Sequence, residues 1–188
     1  MYGNYTFGPA DLQHFIASTD SKTWATTADG KIDTTHPALG RWRSAIIAQF
    51  LNAARQSVAN TGTDISIDVR TSPDTPTTGR AESGHDLTIL SPTTDRITIW
   101  NYFGLNAYPP QRTRDIVEKL DATQLPEPYV LSIGLWNTPT QAEPGTEVSP
   151  DALATAVSSI PDLAHTSVQV TPASLMTSEH WDALSQAW

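Results

Sequence analysis

The chain has no cysteine, which excludes disulfides, thiolate metal sites and thiol catalysis, and leaves the redox compartment open. Lysine is scarce, at three residues, and eleven basic against twenty acidic residues give a formal charge of −9. Neither a phosphate backbone nor an anionic membrane finds a broad attractive surface on such a chain, so no nucleic-acid partner is expected. No apolar run approaches the roughly 20 residues of a membrane-spanning helix. The residues after Met1 are polar and aromatic, so no signal peptide is visible and the compartment is undetermined. Phosphate loops, dinucleotide fingerprints and the Gly-x-Ser-x-Gly elbow are also missing, and no cofactor is implied. Histidines stand at positions 14, 36, 85, 165 and 180, with no i, i+4 pair, so no metal site is expected. Asn4-Tyr5-Thr6 matches a glycosylation acceptor, a triplet that chance supplies often. At 188 residues the chain is one domain by length and too short for a complete (β/α)8 barrel of about 250 residues.

What is present is a rhythm. Residues 1–40 read as a leading segment: a short aromatic opening, a helix starting near Gly8, and a Thr/Asp/Gly-rich loop from Ser18 to Gly40. Trp42, Ile46, Ile47, Phe50, Leu51, Ala54 and Val58 then recur at helical spacing, with Gly62 where a C-terminal cap belongs. Strands follow over Ile65–Arg70, Arg96–Phe103, Tyr129–Trp136 and Ser167–Thr171. Helices are expected near Asp86–Leu90, over Gln111–Leu120, after the Ser149 cap and Pro150, and from Thr177 to Trp188. Trp181 and Trp188 are expected to pack against the sheet. Four strands alternating with four helices argue for an α/β fold with a parallel sheet. Four βα units over residues 41–188 amount to half of an eight-fold barrel.

Strands buried on both faces read as continuous apolar runs, whereas these alternate. Ile65, Ile67 and Val69 share one side of the first strand, and Ser66, Asp68 and Arg70 the other. Ile97 and Ile99 oppose Thr98, Trp100 and Tyr102. Leu131, Ile133 and Leu135 oppose Ser132, Gly134 and Trp136, and Val168 and Val170 oppose Gln169 and Thr171. The polar, aromatic side gathers toward the C-terminal strand ends, where α/β folds place their sites. Such a surface suits a carbohydrate: sugar C–H faces pack on Trp and Tyr while hydroxyls are oriented by polar groups. The candidate binding residues are Arg70, Trp100, Asn101, Tyr102, Trp136, Asn137 and Thr171, and Asp68 is the leading carboxylate. The same alternation also describes a sheet with one solvated face.

Several segments occur in order that resemble the C-terminal half of glycosyl-hydrolase-like, family-10-like TIM barrels. They are Trp42-Arg43-Ser44-Ala45-Ile46-Ile47, Ile65-Ser66-Ile67-Asp68-Val69-Arg70, Ser83-Gly84-His85-Asp86, Ile99-Trp100-Asn101-Tyr102-Phe103, Leu131-Ser132-Ile133-Gly134-Leu135-Trp136 and Val170-Thr171-Pro172-Ala173-Ser174. The stretch from Trp42 to Trp188 is similar to the hydrolase domain of poly-N-acetylglucosamine-processing exopolysaccharide proteins. The resemblance implies a sugar cleft over the strand C-termini, hydrolysis by acidic residues, and an extracellular or cell-surface setting. In such barrels key carboxylates usually sit on earlier strands, before the point at which this chain starts. Hydrolysis normally needs two carboxyl groups; here Asp68 comes first and Asp86, on the following loop, second. The alternatives are a non-catalytic glycan-binding or degenerate scaffold module, or a half-barrel completed by a homodimer or by a partner supplying the N-terminal half.

Overall fold

Four short strands, each alternating an aliphatic with a polar residue, form one sheet in the computed structural model, which describes residues 7–78, 83–123, 125, 128–138, 147–163 and 166–188. They are β1 (Ser66–Arg70), β2 (Arg96–Asn101), β3 (Tyr129–Gly134) and β4 (Ser167–Thr171). The sheet is all parallel, in the order β1-β2-β3-β4. Consecutive parallel neighbours joined by right-handed crossovers put every connecting helix on the same face. Among the described residues the α-helices are α1 (Pro9–Ser18), α2 (Pro37–Val58), α3 (Leu87–Leu90), α4 (Thr113–Thr123), α5 (Pro150–Ser158) and α6 (Ser178–Ala187).

The helix-covered face is the core. Val69, Ile97, Ile99 and Leu131 are sealed beneath α2, α3 and α4 through Ala48, Leu51, Leu87, Ile116 and Leu120. Ile133 and Leu135 meet Leu153 and Val157 of α5 and Leu184 of α6. Full burial of each such aliphatic side chain is worth roughly 1.5–3 kcal/mol, which makes this face the source of the fold's stability. In the helix layer α2 lies beside α3 at the β1 end, and α6 beside α5 at the β4 end. A smaller aromatic cluster, Phe15, Leu39 and Trp42 with Phe7 and Trp24, docks α1 onto the start of α2. There the Trp42 indole N–H donates to His14 Nδ1 at 2.8 Å.

Several expectations shift. α2 begins at Pro37, four residues inside the expected loop, because His36 caps it and proline fits the first helical position. It ends at Val58, and Gly62, with φ +70, serves the turn beyond rather than the cap. Strands β2 and β3 stop two residues earlier than expected. Ile46 and Phe50 stand on the outer side of α2, Phe50 being 72% exposed. Trp181 and Trp188 do not pack against the sheet: they are 60% and 63% exposed, because α6 turns His180 and Leu184 inward instead. The N-terminal aromatic opening before Phe7, the Asn4-Tyr5-Thr6 triplet and His165 lie outside the described residues. No described helix is long and apolar enough to cross a membrane.

Candidate functional site

The face opposite the helices carries the polar residues in rows set by the strand register. Asp68 lies beside Thr98, Arg70 beside Trp100, Trp100 beside Ser132, and Ser132 beside Gln169. One pleat further on, Gly134 lies beside Thr171. Asp68, Arg70 and Gln169 are exposed, Trp100, Tyr102 and Thr171 half-buried, and Ser132 fully buried.

Its centre is an aromatic rack. Trp100 and Tyr102, two residues apart on the β2 path, stack in parallel with centroids 4.9 Å apart and an interplanar angle of 4°. Trp136 follows at 5.2 Å from Tyr102, tilted by 50°. At the other end the Arg70 guanidinium stands 5.5 Å from the Trp100 ring centre, a cation–π contact. Gly134 makes room for the rack: a Cβ there would come within 2.6 Å of the Tyr102 ring. The Gln169 amide donates to the Ser132 hydroxyl at 3.0 Å. Burial, opposed by the nearby Ser132 hydroxyl and helped least by the Asp68 charge, pushes the Tyr102 phenol above its ordinary value.

The stacking decides which ring is available. Trp100 and Tyr102 each spend a face on the other, whereas Trp136, just past β3, is the most open of the three at 37% exposed. Its segment is pinned by an antiparallel bridge from Trp136 to Glu147 and by the Val148 N–H donating to the Leu135 carbonyl at 2.8 Å.

Six of the nine expected site residues, Asp68, Arg70, Trp100, Tyr102, Trp136 and Thr171, belong to this face or its rim. Three do not contribute in the expected way. Asn101 points to the helix-covered side, fully buried, because strand parity separates it from Trp100. Its amide donates to the Thr113 hydroxyl and its carbonyl accepts from the Tyr108 hydroxyl, each at 2.8 Å. Asp86 caps α3, accepting from the Thr88 backbone N–H at 3.0 Å and the Thr88 hydroxyl at 2.6 Å. Asn137 is exposed on the loop after Trp136, where its side chain accepts from the Thr138 N–H at 3.0 Å. Ser132 and Gln169 were not among the expected binding residues, although period-2 alternation already placed them on this side. His85, on the loop before α3, is half-buried and accepts the Arg70 backbone N–H on Nδ1 at 2.8 Å. Among the described residues no three His, Asp or Glu side chains converge as a metal site would require. No protein-family model, curated protein or solved structure matches the chain.

Proposed function

We propose that the open face binds an oligosaccharide or polysaccharide across the C-terminal ends of the strands, with Trp136 as its stacking platform. The observation that carries this reading is an exposed indole backed by a rigid ring stack and rimmed by Asp68, Arg70, Thr171 and Gln169. A pyranose lays its C–H face on such a ring, and its hydroxyls exchange water for charged and amide groups beside it. Asp68 is the only carboxylate among the described strand residues on this face. Hydrolysis with two carboxyl groups, spaced ~5–5.5 Å or ~6.5–9.5 Å, is therefore supported less than binding, in which Asp68 orients a hydroxyl. Calorimetry against soluble gluco-, xylo- and N-acetylglucosamine oligosaccharides tests the proposal. Trp136→Ala is expected to weaken binding about ten-fold or more, with Trp100→Ala weaker in effect. Absence of binding across the panel, or full binding by Trp136→Ala, overturns it. Turnover abolished by Asp68→Asn would instead favour the glycoside-hydrolase alternative.

In this reading the sheet is also half of a (β/α)8-type barrel, its bare face the lumen. Parallel sheets are ordinarily covered on both faces, and here one is covered and the other open. The helices favour one kind of complement. A closed eight-stranded ring has one helix outside each strand junction, yet this sheet has α2 at its β1 end and α6 at its β4 end. Two copies would bring α6 of one and α2 of the other to the same junction, and helices about 10–12 Å across do not share that space. The complement is four parallel strands with three helices rather than a second copy. Its outer helices would cover Phe50 and Ile46 at one end and Trp181 and Trp188 at the other. A solution dimer with β4 of one copy hydrogen-bonded to β1 of the other would contradict this.

A further inference from the structure

We infer that His85 is a positioning residue, whose neutral imidazole latches the end of β1 and so holds Arg70 over Trp100, and that protonation releases the latch. The inference deepens the binding proposal only in that Arg70 rims the same site. β1 is an edge strand, and the outward N–H groups of an edge have no strand partner. At the end of β1 the Arg70 N–H finds one in His85 Nδ1, at 2.8 Å. An acceptor Nδ1 carries no proton, which places the single ring proton on Nε2. Imidazolium would set an N–H against an N–H, so this bond exists only in the neutral form.

The segment bearing His85 is anchored independently of that bond. The Asp86 N–H donates to the Ser44 hydroxyl at 3.1 Å, and the Leu87 N–H to the Thr77 carbonyl at 2.7 Å. Gly84, at φ +65, sits against Arg43 of α2 so closely that a Cβ would meet the Arg43 Cβ at 2.6 Å. The imidazole is thus held to β1 from a fixed base. Among the described residues, the charged groups around it are Arg70 on β1, Arg43 beside Gly84, and Asp86, whose carboxylate is turned to Thr88. Burial first, and the Arg70 charge second, hold the imidazole below its ordinary value. The latch is therefore closed at neutral pH.

Amide hydrogen exchange of Arg70, normalised to Ile99 in the middle of the sheet, tests this without any ligand, while imidazole nitrogen shifts follow His85. In the unmodified protein, Arg70 protection is expected to fall about ten-fold as His85 titrates. His85→Asn places an amide oxygen near the Nδ1 position, so protection should persist with no step at that pH. His85→Ala should leave Arg70 unprotected at every pH while Ile99 stays protected. Unchanged protection through the imidazole titration, or wild-type protection in His85→Ala, overturns the inference. A failure of sugar binding would leave all of these readings intact, so the two proposals fail separately.

Discussion

On one side of the sheet Ile97, Ile99, Leu131 and Ile133 have no solvent exposure at all. On the other, Asp68 and Arg70 of β1 and Gln169 of β4 stand in water, and Trp100 and Tyr102, each one residue from Ile99 or Asn101 on the β2 path, stack on each other. The first face is held by dispersion and apolar burial, which tolerate no change of volume. The second is held by contacts among its own side chains, and the rack can lose a member without opening the core. Stability and recognition are thus assigned to opposite sides of a single layer, separated by one step of the pleat.

Substitution should expose that division most strongly at the core. Ile99→Ala is expected to cost about 2–5 kcal/mol in urea unfolding, through lost burial and a residual cavity. Gln169→Ala on the open face should stay within about 0.5 kcal/mol; comparable losses at both would mean the open face is a second core. A smaller loss is expected at Asn101, which resembles a binding residue in sequence but lies on the core side. Asn101→Ala removes two buried hydrogen bonds, to the Tyr108 and Thr113 hydroxyls, and should cost about 1–3 kcal/mol while leaving glycan affinity unchanged.

A last effect lies in the pH dependence. The His85 value is lowered on folding from an ordinary 6.5, so the unfolded chain takes up the proton first. Its contribution is fully present above about pH 6.5 and lost as the pH falls toward the folded value, with a slope bounded by about 1.4 kcal/mol per pH unit. Urea midpoints measured across that range should fall more steeply for the unmodified protein than for His85→Asn. Parallel curves would remove His85 from the account.

The sides of the strands were legible because alternation has a period of two whatever the strands pack against. That rule separates Trp100 from Asn101, and a strict reading of it would have withheld Asn101 from the site. Asp86 was harder. An acidic residue just before Leu87-Thr88-Ile89-Leu90 serves equally as a helix cap or as a mouth carboxylate, and only the bonds to Thr88 distinguish them. The α2 periodicity gave the helix but not its outer side, because Ile46 and Phe50 satisfy the same spacing as Ala48 and Leu51. Trp181 and Trp188 misled for the same reason: hydrophobicity says that burial is favourable, not that a neighbour is present to provide it.

By itself the sequence determined the α/β alternation, the number of strands and which residues share a strand face, since these follow from chirality, pleat and the lengths of apolar repeats. Tertiary structure alone decided the strand order, the parallel stacking of Trp100 on Tyr102, the openness of Trp136 and the hold of His85 on the edge of β1. Those depend on register between segments far apart in the chain. Register is set by the packing of the whole helix layer, and no local stretch of residues encodes it.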